Sequence, residues 1–213
     1  MVIATITVHH QPYRSNNMKQ ITIILILLAS SVIIGCDESQ ATQPGFGDGS
    51  GQTLTKEQIL QLPVSETSDE AAEGLKFMRE EEKLARDIYQ KLNERWNARV
   101  FSNIAKSEQQ HMDAIAVLLE RYGIEDPAAG TDAGTFRNPE LQTLYNTLLA
   151  KGTSSLKDAM EVGVLIEETD IEDLDIRSAA VAEGTDIAFV YARLRQGSVN
   201  HLNAFTRNLQ RLP

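Results

Sequence analysis

Downstream of residue 35 the chain holds only two histidines, and both sit where a helix could turn them into metal ligands. His111 ends the tetrad Glu108-Gln109-Gln110-His111, and His201 ends Ser198-Val199-Asn200-His201. On a helix, residues three apart lie on one face about one turn from each other. Glu108 and His111 can therefore offer a carboxylate oxygen and an imidazole nitrogen to one cation. The question is whether the rest of the chain supplies further carboxylates on matching faces.

It does so on helices. Beyond residue 54, apolar residues recur at spacings of three and four, with no strand-like alternation. A capping-box start at Thr55-Lys56-Glu57-Gln58 opens a short helix that stops before Pro63. Four long helices follow. The first is expected from about Ser68 to Asn97, with Leu75, Met78, Glu82, Ala85, Tyr89 and Leu92 on one face. The second spans about Ser102 to Tyr122 and stops at Gly123. Its stripe carries Ile104, Glu108, His111, Ile115 and Leu118 at alternating spacings of three and four. A Pro-, Gly- and Ala-rich connection covers Ile124 to Asn138. Asn138-Pro139 then reads as an N-cap followed by proline at the first helical position, opening a shorter helix to about Lys151 that Gly152 closes. The third long helix begins near Ser154 or Ser155 and bears Glu167 and Asp170 on its apolar stripe. The fourth runs from about Thr185 to Leu212, with Ser198, His201 and Phe205 inward.

Each long helix thus has an apolar face interrupted near its middle by one or two polar residues, most of them metal-ligand types. Buried ionised carboxylates are costly unless paired or coordinated, so four interrupted faces together point to a shared metal site. The neighbouring acids Glu80, Glu81, Glu161 and Glu168 are expected to be solvated, with Glu81 the alternative to Glu82 if the phase of that helix is off by one.

The N-terminal region differs in kind. Ile21 to Ile34 is apolar apart from Thr22, Ser30 and Ser31, is preceded by Met18 and Lys19, and ends in Ile33-Ile34-Gly35-Cys36. This is the order of a signal peptide, and the run is short for a membrane span, which takes about 20 residues. Met18 is an alternative start. Cys36 is the only cysteine, so an intramolecular disulfide and any Cys-x-x-Cys metal site within this chain are excluded. From Cys36 onward, alternating Gly45, Gly47, Gly49 and Gly51 describe a flexible tether. The organisation expected is a leader over 1–35, a tether with a short helix over 36–64, and one helical domain over 65–213. Arg14 and Lys19 are the only charged residues of the leader; without them 18 basic residues face 30 acidic ones. That balance excludes nucleic acid as a partner, since phosphate binding needs a basic face.

Two resemblances sharpen this reading. The segment ending in Ile33-Ile34-Gly35-Cys36 resembles a bacterial lipoprotein signal. It implies removal of residues 1–35, lipid on Cys36, and anchoring to a membrane in the cell envelope, outside the cytoplasmic membrane. The alternative is an uncleaved anchor with an incidental cysteine. Further on, Glu82-x-x-Ala85-Arg86-x-x-Tyr89 and Phe101-x-x-Ile104-Ala105-x-x-Glu108-x-x-His111 resemble the first two helices of rubrerythrin-type ferritin-like proteins. More closely, the stretches Phe77–Tyr89, Asn103–Tyr122 and Val162–Leu174 resemble a ferritin-like domain family of unknown function. The resemblance implies an all-α, up-down-up-down four-helix bundle with an additional short helix between long helices 2 and 3. It also implies a di-iron or di-manganese carboxylate site: Glu82 from the first helix, Glu108 bridging, His111 beside it, Glu167 from the third helix and His201 from the fourth. Ser198 departs from the pattern, standing where the fourth helix should present a glutamate. Asp170, one turn after Glu167, is the residue that can restore the count. Carboxylate and imidazole donors suit iron, manganese or zinc alike. Tyr89 is either a core tyrosine or a partner of the metal site. Three functions remain open. One is a peroxide- or oxygen-handling oxidoreductase, which needs an external electron donor because a one-cysteine chain carries no rubredoxin site. The others are a metal-binding or storage module and a helical interaction module without metal. The assembly state, including a homodimer, is open as well.

Overall fold

The computed structural model describes residues 54–213, and among these every regular element is an α-helix. The readings for residues 1–35, the tether and Cys36 lie outside the described residues. Six helices follow in order: α1 (Lys56–Leu60), α2 (Asp69–Trp96), α3 (Arg99–Tyr122), α4 (Pro139–Gly152), α5 (Leu156–Ser178) and α6 (Asp186–Leu209). None of them is long and apolar enough to cross a membrane.

The helix ends follow from local chemistry. Thr55 and Gln58 form the reciprocal capping box of α1. The Ser68 side chain accepts from Ala71 N–H at the start of α2, and Asn97 closes that helix in the left-handed region at φ 49°. Asparagine is among the few non-glycine residues that tolerate this conformation. Gly123, at φ 63°, ends α3, with Ile124 N–H reaching back to the Leu119 carbonyl. Asn138 caps α4 and Ser155 caps α5. Gly152 closes α4 as expected, and its small size answers to packing: a Cβ there would meet Leu92 Cδ2 at 2.9 Å. Helix α6 ends three residues before the expected Leu212.

The long helices pack as two hairpins, α2 with α3 and α5 with α6, joined side by side through α3–α6 and α2–α5. Their directions correct the expected alternation. Phe101, early in α3, packs on Phe205, late in α6, while Tyr122 at the end of α3 bonds Asp186 at the start of α6. Arg177, late in α5, lies over the Phe77 ring, early in α2. Helices α2 and α6 therefore run one way and α3 and α5 the other, so the order is up-down-down-up. The cause is the 124–138 connection. It climbs along α2, fastened by Arg79 to Asp126 and by Asp87 to Gly134 N–H, and α4 continues to the far end, where Trp96 Nε1–H donates to the Gly152 carbonyl. The chain re-enters the bundle at the end from which α3 set out.

Lys83 secures this crossover. It is wholly buried, and its ammonium donates to Asp87 Oδ2 and to the carbonyls of Asp132 and Thr135. Glu80 does similar work, accepting from the backbone N–H groups of Arg137 and Asn138. Glu80 and Glu81 are thus buried, against the expectation of solvated acids; Glu168 is exposed as expected, and Glu161, half-buried, pairs with Lys151. The core divides into two apolar clusters. One is centred on Tyr89, Phe101, Met160 and Phe205, the other on Leu75, Met78, Ile115, Leu118 and Tyr191. A polar layer separates them on all four long helices.

Candidate metal centre

That polar layer contains all six residues selected from the sequence. Glu82, Glu108, His111, Glu167, Asp170 and His201 are each buried, so the phase placing Glu82 inward holds. Glu108 is the pivot. Its Oε2 lies 2.8 Å from His111 Nδ1, and its Oε1 lies 2.9 Å from His201 Nδ1. Beyond each imidazole stands another glutamate: Glu82 Oε2 is 3.2 Å from His111 Nδ1, and Glu167 Oε2 is 3.4 Å from His201 Nδ1. Two triads result, Glu82–Glu108–His111 and Glu108–Glu167–His201, each with donor atoms within 4.8 Å of one another. They share Glu108. Asp170 belongs to neither triad; its Oδ2 accepts a hydrogen bond from the Ser198 hydroxyl.

The surrounding side chains aim these donors. The two imidazoles stack with ring centroids 5.5 Å apart. His201 Nε2 is 3.0 Å from Ser107 Oγ, which leaves Nδ1 inward. His111 finds room for its Nε2 edge because residue 197 is glycine: a Cβ there would come within 2.5 Å of that nitrogen. Tyr89, fully buried, donates from its hydroxyl to Glu167 Oε1 at 2.6 Å. Of these helpers, only Tyr89 was singled out from the sequence. Gly197 and Ser107 lack a periodicity signal, since small residues occur on any helix face.

The electrostatics are those of an acid cluster out of water. Burial raises the Glu82 carboxyl to about 7, against the opposing pull of His111. Burial and the neighbouring Glu108 charge likewise raise Glu167 to about 7. Burial, then Glu82 and Glu167, hold Asp170 well above the carboxylate range. Burial opposes ionisation of Glu108 too, but the flanking His201 and His111 outweigh it and keep that carboxyl well below its usual value. Burial works to discharge His201, yet Glu108 and Glu167 bring it up to about 10; His111 is raised by Glu82 and Glu108 in the same manner. Without a cation the cluster balances its charge with protons.

The donors fit a metal in a second respect. Glu82 Oε1, Glu108 Oε1, Asp170 Oδ1 and His201 Nδ1 are buried without a hydrogen-bond partner. The close approach of His201 Nδ1 to Glu108 Oε1 lacks hydrogen-bond alignment, which is why both atoms stand in that group. Buried polar atoms are nearly always satisfied, and four unsatisfied ones in a single layer call for a shared partner. Carboxylate oxygen with imidazole nitrogen is a donor set for iron, manganese or zinc.

An all-helical bundle whose core is split by a carboxylate–histidine layer is the class of protein these features define. Residues 71–212 match the family described as an uncharacterized protein domain, DUF2202, and the chain belongs to that family. It is 48% identical over 153 residues to the uncharacterized protein MJ0754 of Methanocaldococcus jannaschii, covering 72% of this chain and 82% of that protein. The crystal structure of hypothetical protein MJ0754 from the same archaeon is similar to it, with a TM-score of 0.68 over 70% of this chain and 85% of that one.

Proposed function

We propose that this chain is a metal-binding protein of ferritin-like type, with a two-metal site held by Glu82 and His111 on one side, Glu167 and His201 on the other, and Glu108 between. The observation that carries the reading is the position of Glu108: its two oxygens face two inward Nδ1 atoms, each backed by a further glutamate. The ferritin-like assignment draws support from the single long crossover between two antiparallel hairpins, which is the connectivity of that class.

Iron is the metal we favour, with manganese and zinc as alternatives. A bound iron pair would supply one-electron redox chemistry and a place for dioxygen or peroxide. The protein's own contributions are then distinct. Glu108 neutralises charge on both sides, each histidine serves one side, and Ser107 and Tyr89 hold His201 and Glu167 in orientation. An oxidoreductase of this kind would draw electrons from an external donor. A storage role uses the same ligands without turnover.

Metal analysis of the leaderless protein, expressed with iron and with manganese, tests the reading, with Glu108→Ala as the paired variant. Stoichiometric metal lost in Glu108→Ala supports it. A metal-free wild type, or full occupancy in Glu108→Ala, would sink it in favour of a helical interaction module. Peroxide consumption with an artificial reductant then separates turnover from storage. We propose also that the chain is exported and tethered through lipid on Cys36. A Cys36→Ala full-length protein that still partitions with membranes would refute that tether.

A further inference from the structure

The fourth helix lacks one carboxylate. His201 is preceded three residues earlier by Ser198, whereas His111 is preceded by Glu108. The position is not vacant of chemistry, however. Ser198 is buried, and its hydroxyl donates to Asp170 Oδ2 across the α5–α6 hairpin. The Leu194 carbonyl lies 3.0 Å from the same hydroxyl, one turn back, which fixes where that oxygen sits. Asp170 itself stands one turn beyond Glu167 on α5, so both carboxylates emerge on the same inward face. With Oδ2 taken by Ser198, the other oxygen, Oδ1, is buried and has no hydrogen-bond partner.

We infer that Asp170 supplies from α5 the carboxylate that α6 lacks, and that Ser198 is a positioning residue that turns Asp170 Oδ1 toward the metal pair. The inference rests on the two-metal reading above and deepens it by naming the sixth ligand. Geometry supports the exchange in two ways. The Ser198–Asp170 hydrogen bond places the aspartate carboxylate beside the α6 position, three residues before His201, that has no carboxylate of its own. The hydroxyl also occupies one carboxylate oxygen, so a single oxygen is presented inward. A hydrogen bond that orients a ligand in this way is commonly worth roughly 10- to 100-fold in metal affinity.

The test is an anaerobic Co(II) titration of the leaderless protein, followed by bound metal per chain and by the visible cobalt spectrum, neither of which depends on turnover. Asp170→Asn should lose one of the two metal positions, while Glu108→Gln loses both. Ser198→Ala should keep both positions but weaken one by roughly 10- to 100-fold and shift its spectrum; Ser198→Thr, which retains the hydroxyl, should restore wild-type behaviour. Moving the carboxylate back, in Asp170→Ala with Ser198→Glu, should recover the second position. Thermal melts of each variant without metal report folding separately. Wild-type stoichiometry, affinity and spectrum in Asp170→Asn, with loss in Glu108→Gln, would overturn the role of Asp170 and leave the two-metal reading standing. Failure of the wild type to bind cobalt would overturn both. A Ser198→Ala protein with unchanged spectrum and affinity would remove the serine from the mechanism.

Discussion

The hydroxyl of Tyr89 donates to Glu167 Oε1 at 2.6 Å, and the same glutamate turns Oε2 toward His201. One residue of the apolar cluster thereby decides which oxygen of a ligand-type side chain points inward. Tyr89→Phe keeps the ring contacts with Phe101 and Phe205 and removes only the donor. Above about pH 7, where Glu167 is ionised, losing this hydrogen bond to a charged group is expected to destabilise the metal-free protein by about 1.5–3 kcal/mol. Urea denaturation of the two proteins side by side checks this, and an unchanged midpoint would contradict it.

Stability without metal should fall as pH rises. Glu82 and Glu167 have folded values near 7, above their ordinary 4.5, so their stabilising contribution is present below about 4.5 and lost as pH climbs through 7. His201, raised from 6.5 to about 10, contributes fully below 6.5 and loses that contribution as pH rises through 10. Glu108 has the opposite sign: its depressed value gives a contribution already complete above 4.5. A bound metal replaces the protons and stabilises the folded state by mass action. Melting temperatures measured at about pH 5.5 and about pH 8.5 should therefore show a metal-induced increase that is larger at the higher pH. A smaller increase there would contradict the assignment.

Gly197→Ala separates the site from the scaffold. Alanine favours a helix interior by about 1 kcal/mol over glycine, yet its Cβ would come within 2.5 Å of His111 Nε2. The ring must shift off Glu82 and Glu108. The expected outcome is a melting temperature close to wild type without metal, with affinity for manganese or cobalt reduced roughly 10-fold or more. Equilibrium dialysis reads the affinity. Wild-type binding would mean that the ring has slack.

Lys83→Met removes the buried cation under the crossover. Asp87 would keep Arg86 and Gly134 N–H, but the carbonyls of Asp132 and Thr135 would lose their donor. Breaking a buried pair from one side costs about 3–5 kcal/mol. Hydrogen exchange should rise first in residues 124–138. Protection there equal to wild type would show that the lysine does not hold the crossover.

Much of this was legible in residue order. The caps at Thr55 and Asn138 marked two helix starts, and the starts expected near Ser68 and near Ser154 or Ser155 fall at side-chain caps on Ser68 and Ser155, because capping chemistry is local. Glu82, Glu108, His111, Glu167, Asp170 and His201 were found by phase on four apolar stripes, and they meet in one layer. Glu80 and Glu81 were misread as solvated. A periodicity argument assumes that a helix has one covered face, whereas residues 80–85 of α2 are buried without a break. Part of their cover comes from a crossover some 50 residues further on: Glu80 and Lys83 meet residues 132–138. The direction of α5 was missed for a related reason. The length of the 124–138 connection does not say at which end of the bundle it re-enters, and that is decided by what α2 offers it on the way, Arg79, Lys83 and Asp87 among them.

The two hairpins do not contribute equally to the central layer. Helices α2 and α3, joined by a tight turn at Asn97, carry Glu82, Glu108 and His111 between them, which is one complete triad. Helices α5 and α6 carry Glu167 and His201 and borrow Glu108 for the other. Synthesis proceeds from the N-terminus, so Glu82, Glu108 and His111 are all made before any residue of α5. The layer would be completed last, at the moment the halves dock, so its completion reports that the whole bundle has closed.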